Sequence, residues 1–279
     1  AYIMEMGIWT PVPHAIRSEP RIDAIVAAIQ KRGEGGDEDS GLQFAIDLLQ
    51  RAEQLGFTKT LIAELWLGPD LEAWMLAAAL AGHTETMELI VAVHPGILSP
   101  QCTAKIAATL DRLSHGRAAI NIVNGWWQEE FDLFSNGAWL DRSDDRYVRA
   151  DEFMQVLIRL WSDDAPDLEG RYYQLRNPRL PSTPLTRPYP PIYTSSLSPI
   201  GKASVAQYGD HWFVMPRTLD LPRLDFDQAA AEIEEEIDAL SEAAARHGRT
   251  IGFGVSGHVI CAPTMEEAEA RLLDLEAYG

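Results

Sequence analysis

Short apolar segments with the period of a β-strand alternate with amphipathic helical segments along almost the whole chain. Such alternation, at the spacing of βα units, predicts parallel strands joined by helices. Glycine and proline bound most of the apolar segments and mark the turns between them. The predicted strands cover residues 3–9, 60–64, 88–93, 118–123, 192–194, 211–215 and 251–261. We therefore expect an α/β fold whose parallel sheet is enclosed by helices.

The number of elements fits one domain over residues 1–279. This length is usual for a TIM-type (β/α)8 barrel with insertions. Residues 13–40 are predicted to form the first insertion, a short helix at 22–29 followed by a glycine-rich acidic loop, and the proline-rich residues 162–190 the second. Only seven strand–helix pairs are recognisable, so the last βα unit is missing from these residues. The intact protein is expected to continue past Gly279 with it.

The composition argues against several classes of partner. A net charge of −19 would repel both nucleic acid and an anionic membrane. No apolar run approaches the roughly 18 residues of a membrane-spanning helix, and no signal peptide is recognisable. The two cysteines, Cys102 and Cys261, lie far apart and lack the spacing of metal ligands. We expect a reduced cytoplasmic protein without a disulfide or a metal site.

The stretch from Lys105 to Trp161 carries the most informative residues. A helical pattern ends at Gly116, and a short strand follows whose one polar residue is Asn121. An amide among apolar neighbours is costly unless it is paired, so Asn121 either bonds a neighbouring backbone group or faces a ligand. An Asn-Gly turn and two tryptophans come directly after this strand. Barrel enzymes build their sites from residues at this end of their strands.

Several linked motifs in this order identify a family: HPGILSP, ATLDRLSHGR, INIVNGWWQEEF, DDRYVRADEF and RPYPPIYTSSLSPIG. Together they resemble the flavin-dependent monooxygenases of the bacterial luciferase-like superfamily, above all the alkanesulfonate, dimethyl sulfone and pyrimidine-ring-opening monooxygenases. The resemblance covers nearly the whole chain from Gly41 on. It implies a barrel that binds reduced FMN noncovalently and inserts one oxygen atom from O2 into a small organic substrate through a flavin peroxide. It also implies a separate NAD(P)H-dependent flavin reductase and a homodimer or homotetramer.

The resemblance assigns four residues of the central stretch to the cofactor. Asn121, Glu130, Arg146 and Tyr147 fall on positions that contact FMN in the pyrimidine-ring-opening relatives. Simpler roles remain open, because Glu130 could be a solvated loop acid and Arg146 could belong to an ion pair on a helix surface.

A serine pair after the fifth strand is a candidate phosphate site. Ser198 would cap the following helix, where free N–H groups and the helix dipole favour a phosphate. By itself this pattern is also that of an ordinary N-cap. With the resemblance, Ser198 is expected to bind FMN, and Ser196 adds a hydroxyl beside it.

Two histidines are candidate catalytic groups. His94 ends the third strand at the catalytic face of a barrel, although a structural histidine is the alternative. In GFGVSGH, alternation brings Gly252, Gly254, Ser256 and His258 to one face, which leaves room for a ligand up to the imidazole. His258 also matches a histidine of alkanesulfonate monooxygenase and could change charge near neutral pH. The alternative is a buried histidine that holds its strand in place.

The sequence departs from alkanesulfonate monooxygenase at two places. Ser256 stands where that enzyme has an arginine, and the neighbourhood of Asp70 stands where it has a cysteine. A sulfonate favours guanidinium donors, so we do not expect an alkanesulfonate substrate. Trp126 and Trp127 could line a pocket for an aromatic or other apolar substrate, or they could pack under a loop. An F420-dependent oxidoreductase of the same superfamily and a non-catalytic flavin-binding protein remain alternative functions.

Overall fold

The structure, a computed structural model, describes residues 4–13, 40–68, 70–163, 165–215, 226–257 and 259–276. Its strands are β1 (Gly7–Trp9), β2 (Lys59–Ile62), β3 (Glu88–Val93), β4 (Ala118–Ile122), β5 (Leu168–Glu169), β6 (Gln174–Leu175), β7 (Ile192–Thr194), β8 (His211–Phe213) and β9 (Gly252–Gly254). Its helices are α1 (Gly41–Gln54), α2 (Ala73–Ala81), α3 (Pro100–Leu113), α4 (Gln128–Phe134), α5 (Ser143–Trp161), α6 (Pro199–Tyr208), α7 (Phe226–Ala245) and α8 (Met265–Glu276). The predicted helix at 22–29 lies outside the described residues.

Seven of these strands form one parallel sheet in the order β1-β2-β3-β4-β7-β8-β9. β3 and β4 share the longest ladder, in which Leu89 pairs with Ala118 and Val93 with Ile122. β4 then pairs with β7. The sheet curls into a half-barrel, which confirms the predicted α/β class and its barrel type.

The central strands bury both of their faces. Leu89 and Val93 of β3 belong to the large core that the sheet forms with the helices. Ile90 points to the concave side of the sheet, where it packs with Ala119 and Tyr193. Strands that are covered on both faces lack a polar side, and this explains the nearly continuous apolar sequence of β3 and β4.

A polar layer closes the amino-terminal end of the concave side. Lys59 Nζ lies 3.0 Å from Glu88 Oε1, and the Tyr193 hydroxyl donates to the same oxygen at 2.6 Å. The Tyr193 ring stacks on the His211 imidazole, with ring centroids 4.2 Å apart. Burial raises the pKa of the Tyr193 phenol and lowers the pKa of His211. The lysine, the carboxylate and the phenol satisfy one another, so this end of the sheet is structural.

Two buried acids hold the second insertion against the helices. Glu152 of α5 accepts the backbone N–H groups of residues 171–173, which form the turn of the β5–β6 hairpin, at 2.7–3.0 Å. Asp111 of α3 accepts the N–H groups of Leu185 and Thr186 and the Thr186 hydroxyl at 2.7–2.8 Å. Side-chain acceptors thus hold a segment whose own described backbone ladder is limited to the short β5–β6 pair.

Serine and threonine caps set several helix starts. Ser198 Oγ accepts the N–H of Gly201 at 3.0 Å, as predicted for an N-cap. Ser99 and Thr264 cap α3 and α8 in the same way. The predicted cap Ser40 precedes α1, but its side chain makes no capping bond to that helix. Within the described ranges, no helix is both long enough and apolar enough to cross a membrane.

The last predicted strand is much shorter than the sequence pattern indicated. β9 covers Gly252–Gly254 rather than 251–261, and β1 and β8 are shorter too. The ladder between β8 and β9 ends where the Val214 N–H donates to the Gly254 carbonyl at 2.9 Å, and Val255 beyond it is 64% exposed. The expected strand over 251–261 is therefore wrong from Val255 to Gly257, where the described chain has left the ladder with β8.

We predict that Asp111→Ala lowers the free energy of unfolding by about 3 kcal/mol, because three donors of the second insertion lose a buried charged acceptor. Urea denaturation followed by tryptophan fluorescence measures the change. Asp132→Ala is the control, since Asp132 is an exposed acid on α4. Wild-type stability in the Asp111 variant would show that this side chain does not hold the insertion.

Candidate functional site

The carboxyl ends of β3, β4 and β7 lie side by side at one edge of the sheet, which we call the carboxyl edge. In the register of these strands, Asn121 pairs with Ala92 of β3 and with Tyr193 of β7. His94 and Ser196 follow their strands at this edge. Sheets of this type bind their ligands at the carboxyl ends of the strands. The fold thus brings together predicted site residues from three separate segments of the chain.

The loop after β4 turns sharply and carries two aromatic side chains. Gly125 has a φ of +78°, and a Cβ at this position would lie 2.6 Å from the Phe131 ring. Only glycine tolerates both the positive φ and this close approach to the Phe131 ring, so it allows the loop to pack on α4. Trp126 and Trp127 follow with ring centroids 5.7 Å apart and planes inclined by 19°. Trp126 is 65% exposed, so its ring offers an open apolar surface beside the carboxyl edge.

Buried polar atoms without a partner accumulate at this edge. The amide oxygens of Asn121 and Asn124 and the Ser196 hydroxyl make no hydrogen bond in the described part of the chain. Asn121 is 6% exposed and Ser196 2%, so water does not readily satisfy them. Because an unpaired buried polar atom costs roughly 1–3 kcal/mol, such atoms are uncommon in folded proteins. Three of them, one on β4 and two in the segments that follow β4 and β7, indicate a ligand with a polar edge.

His94 and Glu130, predicted in separate roles, are in contact. His94 Nδ1 lies 3.4 Å from Glu130 Oε2, an ion-pair distance that is longer than a normal hydrogen bond. The imidazole is 2% exposed and the carboxylate 0%. The second oxygen of Glu130 accepts the N–H of Trp66 at 2.9 Å. Glu130 is therefore a buried acid of α4 and not the solvated loop acid that the sequence allowed.

Glu64 joins this group, although the sequence analysis did not single it out. It follows β2 at the carboxyl edge, is 7% exposed, and accepts the Ala73 N–H at 2.9 Å. Burial raises the pKa of Glu64 to about 7; the hydrogen bond from Ala73 opposes this rise, and the charges of Glu72, Asp70 and Glu130 add to it. The sequence did carry a signal for Glu64. A polar residue at the end of an apolar strand is the pattern by which His94 was selected.

The start of α6 forms a small cradle. A Cβ at Gly201 would lie 1.6 Å from Ser196 Oγ and 2.8 Å from the Tyr147 ring. Ser196 and Tyr147 thus meet over the first turn of the helix that Ser198 caps, in space that exists because residue 201 has no side chain. The first turn of a helix presents free N–H groups and a positive dipole end. The cradle therefore suits an anionic group such as a phosphate.

Arg146 lies apart from this cradle. Its guanidinium carbon is 4.4 Å from the centroid of the Trp139 ring, and it donates to the carbonyl groups of Leu140 and Asp141. These contacts hold the segment that leads into α5. Arg146 and Tyr147, predicted as a pair, therefore contact different neighbours.

The glycine face of β9 is filled rather than open. A Cβ at Gly252 would lie 2.2 Å from His211 Nδ1, and a Cβ at Gly254 would lie 2.9 Å from the Phe213 ring. The room that the sequence suggested for a ligand beside these glycines is thus taken by side chains of β8. Ser256 is exposed after the end of the strand. His258 lies outside the described residues.

Comparison with known proteins gives one family and one fold. A family model for luciferase-like monooxygenases matches residues 22–279. The fold is similar to that of a riboflavin lyase (RcaE), with a TM-score of 0.76 and 20% identity over 98% of this chain and 66% of that one. A long-chain alkane monooxygenase (LadA) matches with a TM-score of 0.74 and 20% identity over 99% of this chain and 70% of that one.

An EDTA monooxygenase (EmoA) from Chelativorans sp. BNC1 has a TM-score of 0.76 and 20% identity over 99% of this chain and 66% of that one. This chain thus spans about two thirds of the length of these proteins, and at this identity they show the fold alone. The family model matches most of the chain, including every strand of the sheet except β1, and it agrees with the resemblance of the sequence motifs. The chain belongs to the luciferase-like monooxygenase family.

Proposed function

We propose that this protein is a flavin-dependent monooxygenase that binds reduced FMN noncovalently and inserts one oxygen atom from O2 into a small organic substrate. The observation that carries the proposal is the group of unpaired buried atoms at the carboxyl edge, within β4 and in the described residues that follow β4 and β7. The family supports the proposed reaction, and the riboflavin lyase of similar fold holds a modified FMN.

The cradle at α6 fits the phosphate of FMN. Ser198 caps the first turn of the helix by accepting the N–H of Gly201 at 3.0 Å. The Ser196 hydroxyl is buried and unpaired within the described chain, and Tyr147 lies against the same turn. A phosphate in the cradle would give the hydroxyl a partner and would interact with the positive end of the helix dipole.

The pyrimidine edge of a flavin carries both donors and acceptors, and the amides of Asn121 and Asn124 offer both as well. Arg146 acts in this proposal by holding the segment before α5. Glu130 has no exposed atom and contacts His94 instead. Bound reduced flavin supplies the electrons with which O2 is activated. The chain itself has to orient the substrate, exclude water and handle a proton, for which we propose His94 and, as a second group, His258.

The exposed Trp126 and its stacked neighbour Trp127 support an apolar or aromatic substrate. A separate NAD(P)H-dependent reductase would supply the reduced flavin, and we propose a homodimer or homotetramer in the cytoplasm. The substrate itself has to be found by screening.

We predict that the protein oxygenates a member of a panel of sulfones, cyclic amides, alkanes and halogenated aromatics when a generic reductase supplies reduced FMN. Oxygen uptake and mass spectrometry of the products measure the reaction, and reduced F420 without O2 is the comparison. Substrate-dependent oxidation of F420 would replace the proposal by the deazaflavin alternative. Tight FMN binding without a product from any substrate would favour a non-catalytic flavin-binding protein.

We predict that Ser198→Ala weakens FMN binding by about 10-fold, because the first turn of α6 loses the cap that orders its N–H groups towards a charged ligand. Riboflavin lacks the phosphate, so its affinity should not change. Quenching of flavin fluorescence measures both constants. Ser99→Ala is the matched control, since Ser99 caps α3 with the same Ser-Pro start. Equal losses of affinity for FMN and riboflavin would show that the phosphate does not bind in the cradle.

A further inference from the structure

The contact between His94 and Glu130 constrains the protonation of the imidazole. A buried carboxylate is costly unless a cation or a donor compensates it. One oxygen of Glu130 has the N–H of Trp66, and the other faces His94 Nδ1 at 3.4 Å. The only donor that an imidazole can offer there is a proton on Nδ1. The buried charge therefore favours the tautomer, or the cation, in which Nδ1 is protonated.

We propose that Glu130 is a positioning residue that holds His94 with its proton on Nδ1, so that Nε2 is left as the proton-accepting atom at the carboxyl edge. This inference rests on the proposed function, in which His94 handles a proton next to the cofactor. A carboxylate that accepts from one ring nitrogen sets the tautomer and the orientation of the other. Because Glu130 is fully buried, it acts through His94 and not on a ligand.

Charged groups lie near this pair on two further sides. Glu64 approaches from β2, close enough for the charge of Glu130 to contribute to its raised pKa. Arg149 of α5 lies behind the turn after β3, since a Cβ at Gly96 would be 2.5 Å from its guanidinium. Near neutral pH, protonation of Glu64 removes a negative charge from this region. Glu130 then remains the acid in direct contact with His94.

Long-range 1H–15N NMR of the flavin-free protein tests the tautomer without depending on activity. His94 is one of seven histidines, and its signals are assigned by their loss in His94→Gln. We expect a protonated Nδ1 and an unprotonated Nε2 at pH 8. Glu130→Gln should lower the population of this tautomer, because an amide can donate to Nδ1. Glu129→Gln, an exposed neighbour on α4, should leave it unchanged.

Kinetics with reduced FMN separate positioning from direct contact with the cofactor. Glu130→Gln should lower kcat by about 10- to 100-fold, less than the full contribution of a positioned acid or base, because His94 itself is kept. The affinity for FMN should match that of the Glu129→Gln control. Glu130→Asp keeps a carboxylate acceptor, so it should lower kcat less than the glutamine variant does.

A proton on Nε2 in the wild-type spectrum would overturn the inference, and this measurement stands even if the Glu130 variants do not fold. A loss of FMN affinity with an unchanged kcat in Glu130→Gln would also overturn it and would assign Glu130 to the cofactor. If the wild-type protein oxygenates no substrate, the proposed function fails. The tautomer measured by NMR still decides whether Glu130 keeps the proton of His94 on Nδ1.

Discussion

The parallel ladder from β3 through β4 to β7 is the constraint on which the rest of the structure depends. It places Ala92, Asn121 and Tyr193 in one register, so that three separate chain segments leave the sheet at the same edge. A slip by one residue would turn Asn121 towards the helices and an apolar residue towards the concave side. The side chains that follow the strands would then no longer meet. The pairing of these strands therefore determines both the core and the candidate site.

The polar groups at the two ends of the concave side differ in whether they have hydrogen-bond partners. At the amino end, Glu88 accepts from Lys59 and from the Tyr193 hydroxyl, so the polar layer is complete in itself. At the carboxyl edge, Asn121 and Ser196 keep unpaired atoms within the described chain. Both ends belong to the same sheet, and Tyr193 at the amino end is as buried as Asn121 and Ser196 at the carboxyl edge. The difference is therefore not a general looseness of the fold, and it supports a ligand at the carboxyl edge.

Much of the fold could be predicted from local patterns, whereas the site could be predicted only in part. Alternating strands and helices, and the cap at Ser198, depend on neighbours in sequence, and the structure confirms them. The length of β9 depends on how far β8 offers a partner, which no local pattern reveals. The contact between His94 and Glu130 depends on how α4 packs after the turn at Gly125. Glu64 was overlooked because a raised pKa follows from burial, and burial is a tertiary property.

The unpaired groups at the carboxyl edge carry a cost that the rest of the fold has to compensate. Each costs roughly 1–3 kcal/mol, against a net stability of about 5–15 kcal/mol for a typical domain. A ligand that pairs with them recovers part of this free energy, so binding and stability are coupled. Burial keeps the pKa of Glu64 at about 7, so the charge beside Glu130 changes in the same pH range in which an imidazole titrates. The edge is thus less stable without a ligand than with one, and the charge of Glu64 changes most near neutral pH.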